Sequence, residues 1–359
     1  MKIRNLVILL VFLVPVVGLS NLYPVIDGDR IGYIDNSGNV VIPFDFTCEI
    51  KYSEISYQSR KFKSFTLPSS AYFSEGIATV QMFTYFWFFP IGRDYVLIDE
   101  KGEIVLNSGT MNLGKYSCGL VPIAVKNKIV DVYVEFYSYS TIDGTLLNDN
   151  SYQYTGPFHE NKAVVMNDDI YYHIDKYGVP LGNSAFQMVE VFSEGMAAVM
   201  LNDKWGYIDD QGRLIIDIKY DYAGYFKDGL ARILTKDSYG YIDKSGNFLI
   251  NPAYKLANDF SEGLASVQDD SGYWGYIDKS GKFAIKPSYI SAGNFSGGLA
   301  PVDKGGKFGY IDKSGNLKIS AIYDFARDFN NGIAEVWKED TMFYINKNGD
   351  IIWEFEFED

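Results

Sequence analysis

The chain has 359 residues, 47% of them hydrophobic, with 29 Tyr and 25 Phe, and this supply of core-forming surface excludes general disorder. A formal charge of −14 is opposite in sign to the basic field that a nucleic-acid binder needs to neutralise phosphates. Aromatic and β-branched residues outweigh Ala and Leu, which favours strands over helices.

Residues 1–20, "MKIRNLVILLVFLVPVVGLS", differ in kind from the rest. Lys2 and Arg4 give a short positive start, Leu6 to Val17 an apolar run broken by Pro15, and Gly18 and Ser20 the small residues of a cleavage site after Ser20. The run is short for a bilayer span, so a cleaved export signal is expected, with an uncleaved anchor as the alternative. No Cys follows it to carry a lipid. The expected location is periplasmic, cell-surface or secreted, with no stable membrane insertion after cleavage. The two cysteines, Cys48 and Cys118, have neither metal nor CxxC spacing. They are read either as a disulfide closing a long loop or as two separate thiols.

From there the chain repeats itself. The Asp of "YID" recurs at Asp175, Asp209, Asp243, Asp278 and Asp312, with Asn346 in the last copy, at intervals of 34, 34, 35, 34 and 34 residues. The Phe that opens "FSEGLA" recurs at Phe158, Phe192, Phe226, Phe260, Phe295 and Phe329 with the same period. Earlier copies are less regular. Leu22, Pro24, Val25 and Gly32 align with Leu299, Pro301, Val302 and Gly309, and further copies start at "YFSEGIATV" and "YSCGLVPI". The organisation expected is a signal at 1–20, three irregular units with inserts over 21–150, and six regular units over 151–359 continuous with them. Nine units result.

Within a unit, "LASV", "GYWGYID" and "KFAIKP" are short runs of alternating character and are predicted to be strands. The pairs Asp209 and Gly212, Asp243 and Gly246, Asp278 and Gly281, and Asp312 and Gly315 are predicted to be structural turns. The Asp accepts from backbone N–H groups ahead of it, and the Gly takes the left-handed position. The Gly next to each Trp marks a place where another backbone or ring comes close, and Tyr276 and Ile277 are expected to face opposite sides of their sheet.

These residues resemble the WG-repeat family, named for a Trp-Gly pair that stands here as Trp205-Gly206 and Trp274-Gly275. It is varied to Tyr239-Gly240, Phe308-Gly309 and Ile31-Gly32. The resemblance is strong over residues 158–352 and weaker over 22–150. It implies a β-rich repeat protein, often bacterial and exported, generally without assigned chemistry. One unit of about 34 residues cannot bury its own apolar face, so neighbours must stack. The fold class expected is all-β: an open superhelical solenoid of nine antiparallel hairpin units. A closed β-propeller is the alternative and fits less well, because propellers usually have four to eight blades of about 40–45 residues.

Catalytic signals are weak. His159 takes the Ser position of the FSEG motif, and His173 is read at the Gly position of WGYID. Neither has the clustered ligands of a metal site. Glu75, Glu194 and Glu262 sit in equivalent units and would form a row on one edge rather than face one another across a substrate. No GxSxG, phosphate loop or dinucleotide motif occurs, and neither catalytic residues, metal nor cofactor are assigned.

Three inserts break the repetition: about twenty-one residues near 47–68, and nine or ten at the same point of two successive units, "MFTYFWFFPIGRD" and "KNKIVDVYVEFYSY". The latter two are expected to be elongated hairpins whose aromatics either pack on each other or form a platform. Tyr85, Trp87, Phe89, Tyr133 and Tyr137 are the candidate binding residues. The function expected is a non-catalytic exported scaffold for a macromolecular partner at the envelope, protein or glycan, with no nucleic acid. Carbohydrate or peptidoglycan binding is the alternative, and a carboxylate hydrolase the weakest reading.

Overall fold

The structure, a computed structural model, describes residues 22–57, 60–68, 71–86, 89–129, 132–182, 185–339 and 341–355. The regular unit is well seen in the eighth copy. A two-residue strand, Ser291–Ala292, is followed by Leu299–Asp303, Phe308–Asp312 and Leu317–Tyr323, paired in that order as an antiparallel meander. The fifth, sixth and ninth units form the same four-stranded sheet, and the fourth and seventh a three-stranded one. Burial falls from the second strand outward: Leu299–Asp303 is buried along its whole length, whereas Leu317–Tyr323 alternates and exposes its start.

The turns form as expected. Ser280 N and Lys282 N donate to Asp278 Oδ1 at 2.8 and 3.1 Å, and Asp209, Asp243 and Asp312 accept in the same way. Gly212, Gly246, Gly281 and Gly315 have φ of 76°, 82°, 80° and 81°, a region in which only glycine is unstrained. Hydrogen bonds to the ionised form hold all four turn carboxyls below their usual range.

Tyr276 and Ile277 point to opposite faces, and both faces are buried. Tyr276 packs with Ala292 and Phe295 of the next unit, and Ile277 with Phe260 of its own unit and Tyr241 of the unit before. A polar contact locks each step. The hydroxyls of Tyr139, Tyr207, Tyr241, Tyr276 and Tyr310 each donate to a backbone carbonyl seventeen residues on, at 2.6–2.9 Å. Each of these rings also meets the next Phe at 4.8–4.9 Å between centroids.

The open solenoid expected from the sequence does not form; the units close into a ring, a β-propeller. One hydrophobic cluster joins Leu22, Val25 and Tyr33 of the first unit to Trp337, Met342, Tyr344 and Phe355 of the ninth. The Tyr344 hydroxyl donates to the Pro24 carbonyl at 3.2 Å, and that of Tyr23 to the Asn331 carbonyl. A turn contact also crosses the seam, through backbone rather than a side chain. Gly281 stands against Ile250 and Gly315 against Ile285, and Gly38 of the first unit stands against the Ile352 carbonyl of the ninth. The 34-residue unit is short for a blade because its first strand is only two residues long. That strand was too brief to be read as an element.

The first insert straps this seam. Lys51–Tyr57 and Arg60–Thr66 form a hairpin. From its end, the Tyr57 hydroxyl donates to Asp303 Oδ2 at 2.6 Å, and its ring meets Phe308 and Phe325 at 5.1 and 5.8 Å. A segment following the first unit thus holds the eighth and ninth.

Candidate interaction surface

The register gives the ring two unlike faces. One carries the FSEG and Asp-x-x-Gly turns, because Leu264 pairs with Asp278 at that end of the sheet. The other carries the tips where Gln268 meets Trp274 and Asp303 meets Phe308. All three inserts emerge on the tip face. In the second unit the usual five-residue strand becomes Ile77–Phe86, paired with Phe89–Asp99; in the third it becomes Leu120–Ile129, paired with Val132–Thr141. Each arm is thereby about five residues longer, or roughly 15 Å at strand rise.

Of the candidate residues, Tyr85 and Phe89 lie on the first long hairpin, where Tyr85 opposes Pro90 and Phe86 opposes Phe89. Tyr133 opposes Lys128 and Tyr137 opposes Ala124 on the second. Trp87 lies outside the described residues. The bases of the two hairpins share a cluster of Ile77, Leu97, Leu113, Val121 and Ile123, which places them on neighbouring blades. A cavity of about 570 Å³ lies between the fifth and sixth units, lined by Tyr220, Lys236, Phe248 and Pro252 among others. Sequence reading gave no sign of it.

The row of glutamates has a structural task. Glu194 accepts from Gly229 N at 3.0 Å, and Glu262 from Gly297 N and Gly298 N at 2.6 and 3.0 Å. Glu75 accepts from Cys118 N and Gly119 N at 2.8 and 3.3 Å. Each carboxylate latches its unit to the turn of the next, and none of the three faces another across a cleft. Cys48 and Cys118 are free thiols, and burial pushes the Cys48 thiol up to about 12.

His173 corrects the sequence reading: it occupies the Tyr position, not the Gly position, of the repeat. Its Nε2 lies 2.8 Å from the Glu190 carbonyl seventeen residues on, and its ring meets Phe192 at 4.7 Å, as Tyr276 meets Phe295. Burial holds its imidazole down to about 4, and its Nδ1 is buried without a partner. Between the ordinary value of 6.5 and about 4, the unfolded chain binds a proton that the folded one does not. His173 therefore makes stability fall as pH drops through that window. His173→Tyr is expected to flatten this part of the stability curve, read by urea unfolding at a series of pH values. An unchanged slope would show that the imidazole is not held neutral.

Six segments of the chain, residues 31–47, 185–205, 205–237, 239–273, 274–308 and 308–340, match the WG containing repeat family. The chain belongs to the WG-repeat family. Among curated proteins no sequence match was found. Among solved structures, this WG-repeat protein is similar to a crystal structure of the eukaryotic initiation factor at 12% identity. That likeness covers 93% of this chain and 95% of the other with a TM-score of 0.59, and it concerns the fold alone. BamB from Moraxella catarrhalis (10% identity, 71% and 89% covered, TM-score 0.39) overlays too loosely to inform further. The same holds for Chaetomium thermophilum Sqt1 bound to the N-terminus of ribosomal protein L10 (11%, 67% and 84%, 0.38).

Proposed function

We propose that this WG-repeat propeller is a non-catalytic scaffold that binds a macromolecular partner on its tip face, at the two long hairpins. The observation that carries the reading is their placement. Neighbouring blades extend strands of ten or eleven residues where the regular unit has five or six, at the same register and on the same face. The regular units resemble one another, so a specific partner needs a surface that is not repeated. Tyr85, Trp87, Phe89, Tyr133 and Tyr137 are the residues proposed to supply it, since Tyr and Trp give large contact area at low entropic cost. Export to the envelope is part of the proposal and rests on the apolar leader at 1–20, which lies outside the described residues. Among those described, no helix is long and apolar enough to cross a membrane.

The test is to shorten both hairpins to the regular length and to repeat a pull-down from the envelope fraction of the source cell. The trimmed protein is expected to keep its far-UV spectrum and melting temperature and to lose its partner. Capture at full affinity by the trimmed protein would place binding elsewhere. A captured glycan rather than a protein would decide for carbohydrate binding.

A further inference from the structure

The latches on the turn face are a chain with links left out. Each FSEG turn holds its third residue at positive φ, which directs consecutive N–H groups at the preceding unit. Besides Glu75, Glu194 and Glu262, Glu160 takes Glu194 N and Gly195 N at 2.7 and 2.8 Å, and Asp228 takes Gly263 N at 2.6 Å. In the third unit the latch position is Cys118, whose φ of 51° matches the 52°, 53° and 54° of Glu75, Glu194 and Glu262. The turn it faces, Glu160 and Asn161, has φ of 50° and 61° and is set like the others. Among the described residues, no acceptor lies on the N–H of Glu160 or Asn161.

Two further observations mark this junction. A lysine elsewhere accompanies the latching carboxylate: Lys244 lies 3.4 Å from Glu194, and Lys313 lies 3.1 Å from Glu262. Among the described residues the equivalent Lys176 pairs with no carboxylate, and its ammonium lies over the Tyr177 ring. Beside the junction there is also a cavity of about 240 Å³, lined by Lys115, Ser117, Cys118, His159 and the rim carboxylates Glu75 and Glu160 among others. Those two carboxylates already accept from the backbone of the following turns. A second link is missing at Gly297, where side chains of the ninth and first units close in instead. The Lys347 ammonium stands against Gly297, and the Tyr23 hydroxyl reaches the Asn331 carbonyl.

We infer that the junction between Cys118 and the Glu160–Asn161 turn is a binding site for a carboxylate from outside the chain. The ligand would occupy the place that Glu75, Glu160 and Glu262 fill at their own junctions. Its oxygens would accept from the N–H groups of Glu160 and Asn161, with Lys115 and Lys176 supplying positive charge and the His159 ring beside them. The site lies on the face opposite the long hairpins, so it is independent of the proposed partner surface. Either an acidic side chain of a peptide or a small free carboxylate carries the required chemistry.

The test is an amide and imidazole NMR titration of the full chain. One arm uses sodium glutarate, the other a short peptide with blocked termini and a single internal Glu. In at least one arm the Glu160 and Asn161 amide signals are expected to shift and saturate, and the His159 imidazole to titrate at higher pH as the anion offsets Lys115. Tighter binding of the peptide would make the source a protein side chain, and response to glutarate alone a free carboxylate. Cys118→Glu should restore the link, abolish the response to both probes and raise the melting temperature. Lys115→Met, which leaves the turn untouched, should weaken binding roughly threefold to tenfold. Amide signals unmoved by both probes, or binding undiminished in both variants, would overturn the inference.

Discussion

Replacing Gly275 by Ala should cost about 3 kcal/mol, a large effect for the addition of one methyl group. The strand Trp274–Asp278 pairs with Phe283–Tyr289 through an irregular register: Trp274 opposes Tyr289, and Tyr276 opposes Ile285. Three residues of the outer strand, Lys286 to Ser288, therefore cross over the single residue Gly275. A Cβ there would lie 2.7 Å from both the Ile285 carbonyl oxygen and the Pro287 nitrogen, and 2.9 Å from Pro287 Cα. All three are backbone atoms, so no rotamer change relieves the clash. Gly240 and Gly309 are crossed in the same way, at 2.7 and 2.6 Å from the Ile250 and Ile319 carbonyls. Urea unfolding checks the magnitude. A loss below about 0.5 kcal/mol would mean that the outer strand can move away freely.

Removing the Phe355 ring should be nearly as damaging, and in a more informative pattern. Phe355 is 2% exposed and meets the Tyr344 ring at 4.8 Å, the place taken by the next unit's Phe elsewhere in the ring. Phe355→Ala is expected to cost about 3–4 kcal/mol through the lost transfer energy and the cavity left behind. At the end of an open stack, a truncation frays only the last unit. Here the same cluster contains Leu22, Val25, Ile31 and Tyr33, so hydrogen-exchange protection should fall in the first unit as well as the ninth. Loss confined to residues 325–355 would contradict the seam.

Much of this was legible from residue type and spacing. The 34-residue period, the three longer strands, the turn geometry at Asp278 and Gly281, and the close approach at Gly275 are local properties, and all form as read. Closure is not local. Tyr276 reaches the carbonyl seventeen residues on whether the stack is open or closed, so the repeat alone does not distinguish a solenoid from a propeller. Only the ends decide, through Tyr344 on Pro24 and Gly38 on Ile352, contacts with no sequence signature. The strap at Tyr57 was illegible for the same reason, since its partner Asp303 is 246 residues away. The latches were half legible. The row of Glu75, Glu194 and Glu262 could be seen, but their partners are backbone N–H groups, which every residue type offers. His173 misled because its imidazole fills the role of a tyrosine hydroxyl, and alignment one residue out hides that equivalence.

The measurement that bears most directly on the closed ring is the distance between its two ends in solution. Spin labels placed at Ser37 and Asn348, in a background with Cys48 and Cys118 replaced, would sit on equivalent turns of the first and ninth units. In a ring these are neighbouring blades, separated by about one sheet-packing distance of ~10 Å plus the label arms. In an open stack, eight such steps would part them by roughly 80 Å. A dipolar distance distribution centred below about 30 Å is the expected result, allowing for one packing step and two label arms. A distribution beyond about 60 Å, as many packing steps in series would give, would contradict the propeller.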